Sequence, residues 1–212
     1  MKFEALLECF QKEAYFDYAS VALLFREGDE SLRTSLYRFR KNGRLVELRR
    51  GLYAFAELYR KVPLTGPAVA EALYRPSYLS ERWALSFHGV IPEKTVVYTS
   101  VSPRTTKRFD NAWGRFVYRS LRQDLFSGYA SESIMGSPVH IASPEKALMD
   151  LMYLEAGEWT MARMESMRFE AALVDPESFV AAMKSTGLPR LVRAAEAWIR
   201  YADESAEGSI EL

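Results

Sequence analysis

The chain has 212 residues, and its 28 basic and 28 acidic side chains cancel, so it is neither a strongly basic tail nor an acidic one. With 49% hydrophobic and 26% charged residues it has the make-up of a globular protein with a sizeable core, which excludes a disordered or low-complexity chain. Cys9 is the one cysteine, which excludes an intrachain disulfide and a cysteine-based zinc cluster. No run approaches the ~18 apolar residues of a membrane span. Glu4, Glu8 and Glu13 interrupt the start, so no secretory signal is read and a cytoplasmic chain is expected.

In chain order, the first helix is expected over residues 2–13, with Phe3, Leu6, Leu7 and Phe10 on one face and Cys9 on the apolar side. Asp17 caps a second helix over 18–25, residues 26–29 form a polar turn, and a third helix runs from Ser31 to Asn42-Gly43. Two apolar-rich strands, 44–50 and 52–55, meet at Arg50-Gly51 as a hairpin. The prolines and glycine of 63–67 then break regular structure, so a boundary is expected between residues 1–61 and 62–212. The second part is expected to hold helices at 67–74 and 81–88 and strands at 95–101, 106–109, 113–121, 129–135 and 139–142. Ser143-Pro144-Glu145 opens a helix reaching about Leu154, and helices at 177–185 and 189–203 follow. The fold class expected is α+β: an N-terminal winged helix-turn-helix, then a larger mixed α+β domain with a helical C-terminal part.

Charge is uneven along this plan. Residues 26–61 carry ten basic and five acidic side chains, net +5, whereas residues 150–212 carry six and twelve, net −6. On a wheel of the third helix Leu32, Leu36 and Phe39 make one stripe. Arg33, Thr34, Tyr37, Arg38 and Lys41 lie roughly opposite, about 100–240° away. That face suits the major groove of duplex DNA, where arginine can pair bidentately with guanine and a threonine methyl can touch thymine. Arg49 and Arg50 at the hairpin tip supply cations for phosphates or the minor groove. The plainer alternative is a solvated helix face, and what favours DNA is the coincidence of helix-turn-helix spacing, hairpin and basic tip.

Residues that invite an enzymatic reading have simpler roles. His88 ends a helix, where it complements the dipole, and His140 lies in a strand, with no metal-ligand spacing between them. Glu145, Lys146 and Asp150 have the residue types of a metal-dependent nuclease, but Lys146 and Asp150 are spaced as an i,i+4 ion pair and Glu145 as a first-turn acid. Neither a phosphate-binding glycine loop nor a nucleophile elbow is present in the sequence. No catalytic residue, metal or cofactor is expected.

Three stretches resemble one family. They are Asn42-Gly-Arg-Leu-Val-Glu-Leu-Arg-Arg-Gly-Leu-Tyr-Ala54, Tyr78-Leu-Ser-Glu-Arg-Trp-Ala-Leu-Ser-Phe-His-Gly-Val90 and Ile141-Ala-Ser-Pro-Glu-Lys-Ala-Leu-Met-Asp150. In this order they are similar to the AbiEi-type antitoxins of type IV toxin–antitoxin systems, which are linked to abortive phage infection. The resemblance implies a repressor that binds inverted repeats at its promoter and a second domain that counteracts a nucleotidyltransferase-like toxin. The acidic 150–212 stretch is then a candidate for engaging a basic surface. Two other readings stay open: a winged-helix regulator whose second domain senses a small molecule, and a nuclease tethered by the winged helix.

Overall fold

The computed structural model describes residues 1–208, a mixed α+β chain that divides into two compact units. Met1–Arg75, with Asn111–Trp113 and Ser133–Val139, makes the first; Pro76–Asp110, Gly114–Glu132 and the chain from His140 onward make the second. Among the described residues no helix is long and apolar enough to cross a membrane.

The first unit begins with α1 (Phe3–Phe10), which buries Phe3, Leu6 and Phe10. Cys9 is exposed, contrary to its expected place in the core. It lies two-thirds of a turn from Phe3 on the wheel, off the stripe that the three buried residues define. A two-residue strand, β1 (Phe16–Asp17), leads into α2 (Tyr18–Leu24), and the Asp17 side chain caps α2 by accepting from Ser20 N. Helix α3 (Asp29–Lys41) starts two residues earlier than expected, with Asp29 and Glu30 in its first turn and Arg38, Arg40 and Lys41 in its last, as the helix dipole favours. Gly43, just beyond α3, takes a φ of 69°, where a side chain would be strained. Strands β2 (Leu45–Arg49) and β3 (Leu52–Phe55) form an antiparallel hairpin, and β1 pairs with β3, giving the sheet order β1-β3-β2. Phe3, Leu6, Phe16, Val21, Leu32, Leu36, Phe39, Leu45 and Phe55 pack into one core between helices and sheet.

The chain does not leave this unit at Lys61. Leu64 is buried, and its carbonyl accepts from Trp113 Nε1 at 3.2 Å. Helix α4 (Gly66–Leu73) packs on β2, and Arg49 Nε donates to the Leu73 carbonyl at 2.8 Å. The proline-rich segment is thus a packed turn within the first unit rather than a solvated linker.

The second unit carries most of a six-stranded mixed sheet. Its strands are β4 (Tyr78–Leu79), β5 (Val97–Ser102), β6 (Lys107–Asn111), β7 (Gly114–Ser120), β8 (Tyr129–Ile134) and β9 (Ser137–Ala142), in the order β6-β7-β5-β4-β9-β8. β5 pairs parallel to β7 and antiparallel to β4, and β4 pairs parallel to β9. The helices are α5 (Glu81–Phe87), α6 (Pro144–Leu154), α7 (Met161–Met167), α8 (Pro176–Ser185) and α9 (Pro189–Gly208). Ser143 caps α6 by accepting from Lys146 N, and Asp175 caps α8. Helix α7 has no counterpart in the sequence reading: it is seven residues long, and only Met164 and Met167 are buried, too few to mark a period.

Candidate nucleic-acid interface

All five residues singled out on α3 are exposed, while Leu32, Ser35, Leu36 and Phe39 are buried beneath them. The helix therefore presents Arg33, Thr34, Tyr37, Arg38 and Lys41 on one solvent face. They are not equally free. Arg33 Nε lies 2.6 Å from Asp29, and its guanidinium stacks 4.2 Å from the centre of the Tyr18 ring. The Arg33 hydrogen bond, with a second from the Tyr18 hydroxyl, holds the Asp29 carboxyl below its ordinary range. Such an exposed pair is weak and exchanges readily for another anion. Arg38 and Lys41 have no hydrogen-bond or ion-pair partner among the described residues. With Asp29 and Glu30 at its start, α3 offers its cationic surface in its second half, around Thr34, Tyr37, Arg38 and Lys41.

Two residues absent from the sequence reading shape this face. Arg40 pairs with Glu47 of β2 and packs over the Tyr37 ring, 5.5 Å from its centre. Tyr18 joins α3 to the hairpin: its hydroxyl donates to Asp29, and its backbone N donates to the Gly51 carbonyl at 2.8 Å. The hairpin turn is thus pinned beside the start of α2, with Gly51 at a φ of 75°. Arg49 and Arg50 are both exposed at this turn, but Arg49 is committed to the Leu73 and Arg50 carbonyls. Arg50 is the cation of the turn whose side chain is unengaged among the described residues.

The second unit places the Tyr78 and Ile141 stretches against each other. Asp150, fully buried on α6, accepts from Lys146 Nζ at 2.6 Å, Ser80 Oγ at 2.7 Å and the Tyr78 hydroxyl at 3.0 Å. Burial pushes the Asp150 carboxyl up and the Lys146 ammonium down, each opposed by its partner. Ser80 occupies the cap position of α5, but its hydroxyl serves Asp150 and makes no cap bond. His88 Nε2 donates to the Ala142 carbonyl at 2.8 Å, fastening the end of α5 to the end of β9.

Glu81, at the first position of α5, takes a left-handed φ of 52° and is buried. Its Oε2 accepts from Arg119 at 2.7 Å, and its Oε1 has no partner among the described residues. Burial raises its carboxyl to about 7, against the pull of Arg119. A residue in the left-handed region costs about 1–3 kcal/mol, which the surrounding contacts must hold in place.

Glu145 does not join Lys146 and Asp150: its Oε1 accepts from Asp175 N at 3.0 Å. The three therefore do not assemble into a nuclease-type set. Among the described residues no group of three or more histidine, cysteine, aspartate or glutamate side chains is placed to hold a metal ion. In comparisons with known proteins the chain matches no family model and no curated relative.

Proposed function

We propose that this chain is a DNA-binding transcriptional repressor, with a winged helix-turn-helix as its N-terminal part and an antitoxin-type α+β domain after it. The observation that carries this is the element order α1-β1-α2-α3-β2-β3, with an exposed polar and cationic face on α3 and an arginine turn beside it. In that arrangement α2 and α3 make the helix-turn-helix, α3 enters the major groove and the β2–β3 hairpin is the wing. Arg38 reads a base edge, Thr34 and Tyr37 add close contacts, and Lys41 and Arg50 neutralise phosphates. Arg33 joins them by exchanging Asp29 for the nucleic acid. Inverted repeats at a promoter would seat two copies, and occupation of that site excludes the transcription machinery.

The antitoxin role rests on the resemblance to the AbiEi type. The Tyr78 and Ile141 stretches carry that resemblance and share one buried network, as expected of a motif pair that maintains a fold. The partner proposed is a nucleotidyltransferase-like toxin, and the compartment is the cytoplasm.

Two experiments test the proposal. Nuclease footprinting of the DNA upstream of the gene, with the full-length chain, should reveal a protected site with two-fold symmetry. Co-expression with the adjacent gene product should restore growth if that product is toxic. An unprotected upstream region removes the repressor; a toxic neighbour that the full chain does not relieve removes the antitoxin and leaves the repressor standing.

A further inference from the structure

The second unit holds a cleft of about 330 Å³ between α9 and the segment that leads into α7. Arg190, Arg193, Ala194, Ala197 and Arg200 line it from α9, and Trp159 lines it from the other side. The spacing of the five keeps them along one face of the helix. Arg190 is held by two carbonyls, donating from Nη1 to Met152 at 3.1 Å and from Nη2 to Tyr153 at 2.5 Å, so its charge meets no carboxylate. Arg193 and Arg200 are exposed and make no hydrogen bond or ion pair among the described residues. Glu196, Asp203 and Glu204 on the same helix do not pair with them, although their spacing allows it. In a stretch of net charge −6, three of its six basic residues converge on this one cleft, against a single acidic lining residue, Glu158.

The wall opposite is rigid. Arg163 stacks 3.7 Å from the centre of the Trp159 ring and pairs with Glu155 at 2.5 Å, which fixes the indole. Trp159 is 5% exposed, and its Nε1 has no acceptor among the described residues.

We propose that this cleft binds a nucleoside polyphosphate, its phosphate chain across Arg193 and Arg200 and its uncharged part against Ala194, Ala197 and Trp159. The guanidinium fork matches phosphate oxygens bidentately. Arg193 and Arg200 are seven residues apart, about 10 Å along the helix, a span that an extended anion bridges and a lone phosphate does not. The concavity suits a small molecule rather than a duplex, since ligand pockets run from about 300 to 1,000 Å³. This site is separate from α3 and stands whether or not α3 binds DNA.

Isothermal titration of the full-length chain with ATP, AMP, inorganic phosphate and hexaglutamate tests it. One-to-one binding of ATP is expected, with AMP and inorganic phosphate weaker. The double variant Arg193→Ala/Arg200→Ala should weaken the nucleotide by about tenfold or more, because two charge-assisted contacts are lost. Lys184→Ala, which removes one surface charge from α8, and Arg38→Ala on α3 should leave it unchanged. If the alanine pair does not fold, Arg193→Lys/Arg200→Lys keeps the charge but not the fork and should still weaken binding. The proposal is overturned if ATP does not bind, if AMP binds as tightly as ATP, if the double variant binds as the parent does, or if Arg38→Ala abolishes binding. Inorganic phosphate binding as tightly as nucleotide, or hexaglutamate binding more tightly, overturns it too.

Discussion

Arg38 and Lys41 on α3 and Lys146 and Asp150 on α6 are all charged residues on well-formed helices, yet their surroundings differ completely. The first two stand in solvent without a partner among the described residues, on a helix whose other side is sealed by Leu32, Leu36 and Phe39. The second two are buried and consumed by each other and by Tyr78 and Ser80. A solvated charge adds little to stability and remains available to a ligand; a buried charge answers to the fold and becomes costly once its partner is removed. The comparison separates charges that remain available to a ligand from charges consumed within the fold, including Lys146 and Asp150, which have the residue types of a catalytic set in the sequence.

The sharpest way to break that division is Asp150→Ala. It leaves the Lys146 ammonium and two hydroxyls buried without their acceptor, and the expected loss is about 3–5 kcal/mol of unfolding free energy. Urea denaturation of the full chain measures it, and a paired Lys146→Met/Asp150→Leu variant should recover much of the loss. A near-neutral Asp150→Ala would mean that the network is not structural.

Glu81 gives the next effect, through pH. Its carboxyl stands at about 7 in the folded chain against an ordinary 4.5, so between these values the folded state binds more protons than the unfolded one. Stability contributed by this group is therefore full below pH 4.5, falls as pH rises to about 7, and is level above that. The linkage is worth at most about 3 kcal/mol. Glu81→Gln removes the titration, so the stability of the parent relative to this variant should be greater below pH 4.5 than above pH 7. A difference that is constant across this range contradicts the burial argument.

On the exposed side of the comparison, Arg38→Ala should weaken specific DNA binding by about 1–3 kcal/mol, as the loss of a base-reading arginine does, while leaving the melting temperature unchanged. Equal losses on specific and unrelated duplexes would reassign Arg38 to a phosphate. The smallest effect expected is that of Asp17→Ala, which removes the α2 cap and should cost about 1 kcal/mol of stability. A thermal melt detects it, and the same variant sharpens the account by showing whether loosening α2 also loosens the Tyr18 link to α3.

Much of this was legible in the residues. Leu32, Leu36 and Phe39 fix the buried side of α3, and Asp17, Gly43 and Ser143 mark helix ends by local chemistry that needs no tertiary context. What could not be read depended on distant partners. β1 is two residues long and exists because β3 pairs with it, so Phe16-Asp17 carries no period of its own. The 63–67 segment has linker composition, yet burial of Leu64 and the Trp113 and Arg49 bonds keep the chain within the first unit. At the site, α3 exposure followed from the wheel, whereas the commitment of Arg49 to the Leu73 carbonyl did not. The grouping of Arg190, Arg193 and Arg200 carries no signal in the sequence, because it depends on Trp159 being brought opposite them.

The most direct measurement of the central claim is fluorescence anisotropy of the full-length chain on a duplex from its own upstream DNA, repeated over a series of salt concentrations. Lys41 and Arg50 are the two cations assigned to phosphates, and neither side chain has a partner among the described residues. If each neutralises one phosphate, the logarithm of the association constant should fall against the logarithm of salt with a slope of about −2 per bound copy. Arg50→Ala should reduce that slope by about one. A chain that does not bind the duplex at low salt, or binds it with no dependence on salt, contradicts the assignment of α3 and its neighbouring turn to DNA.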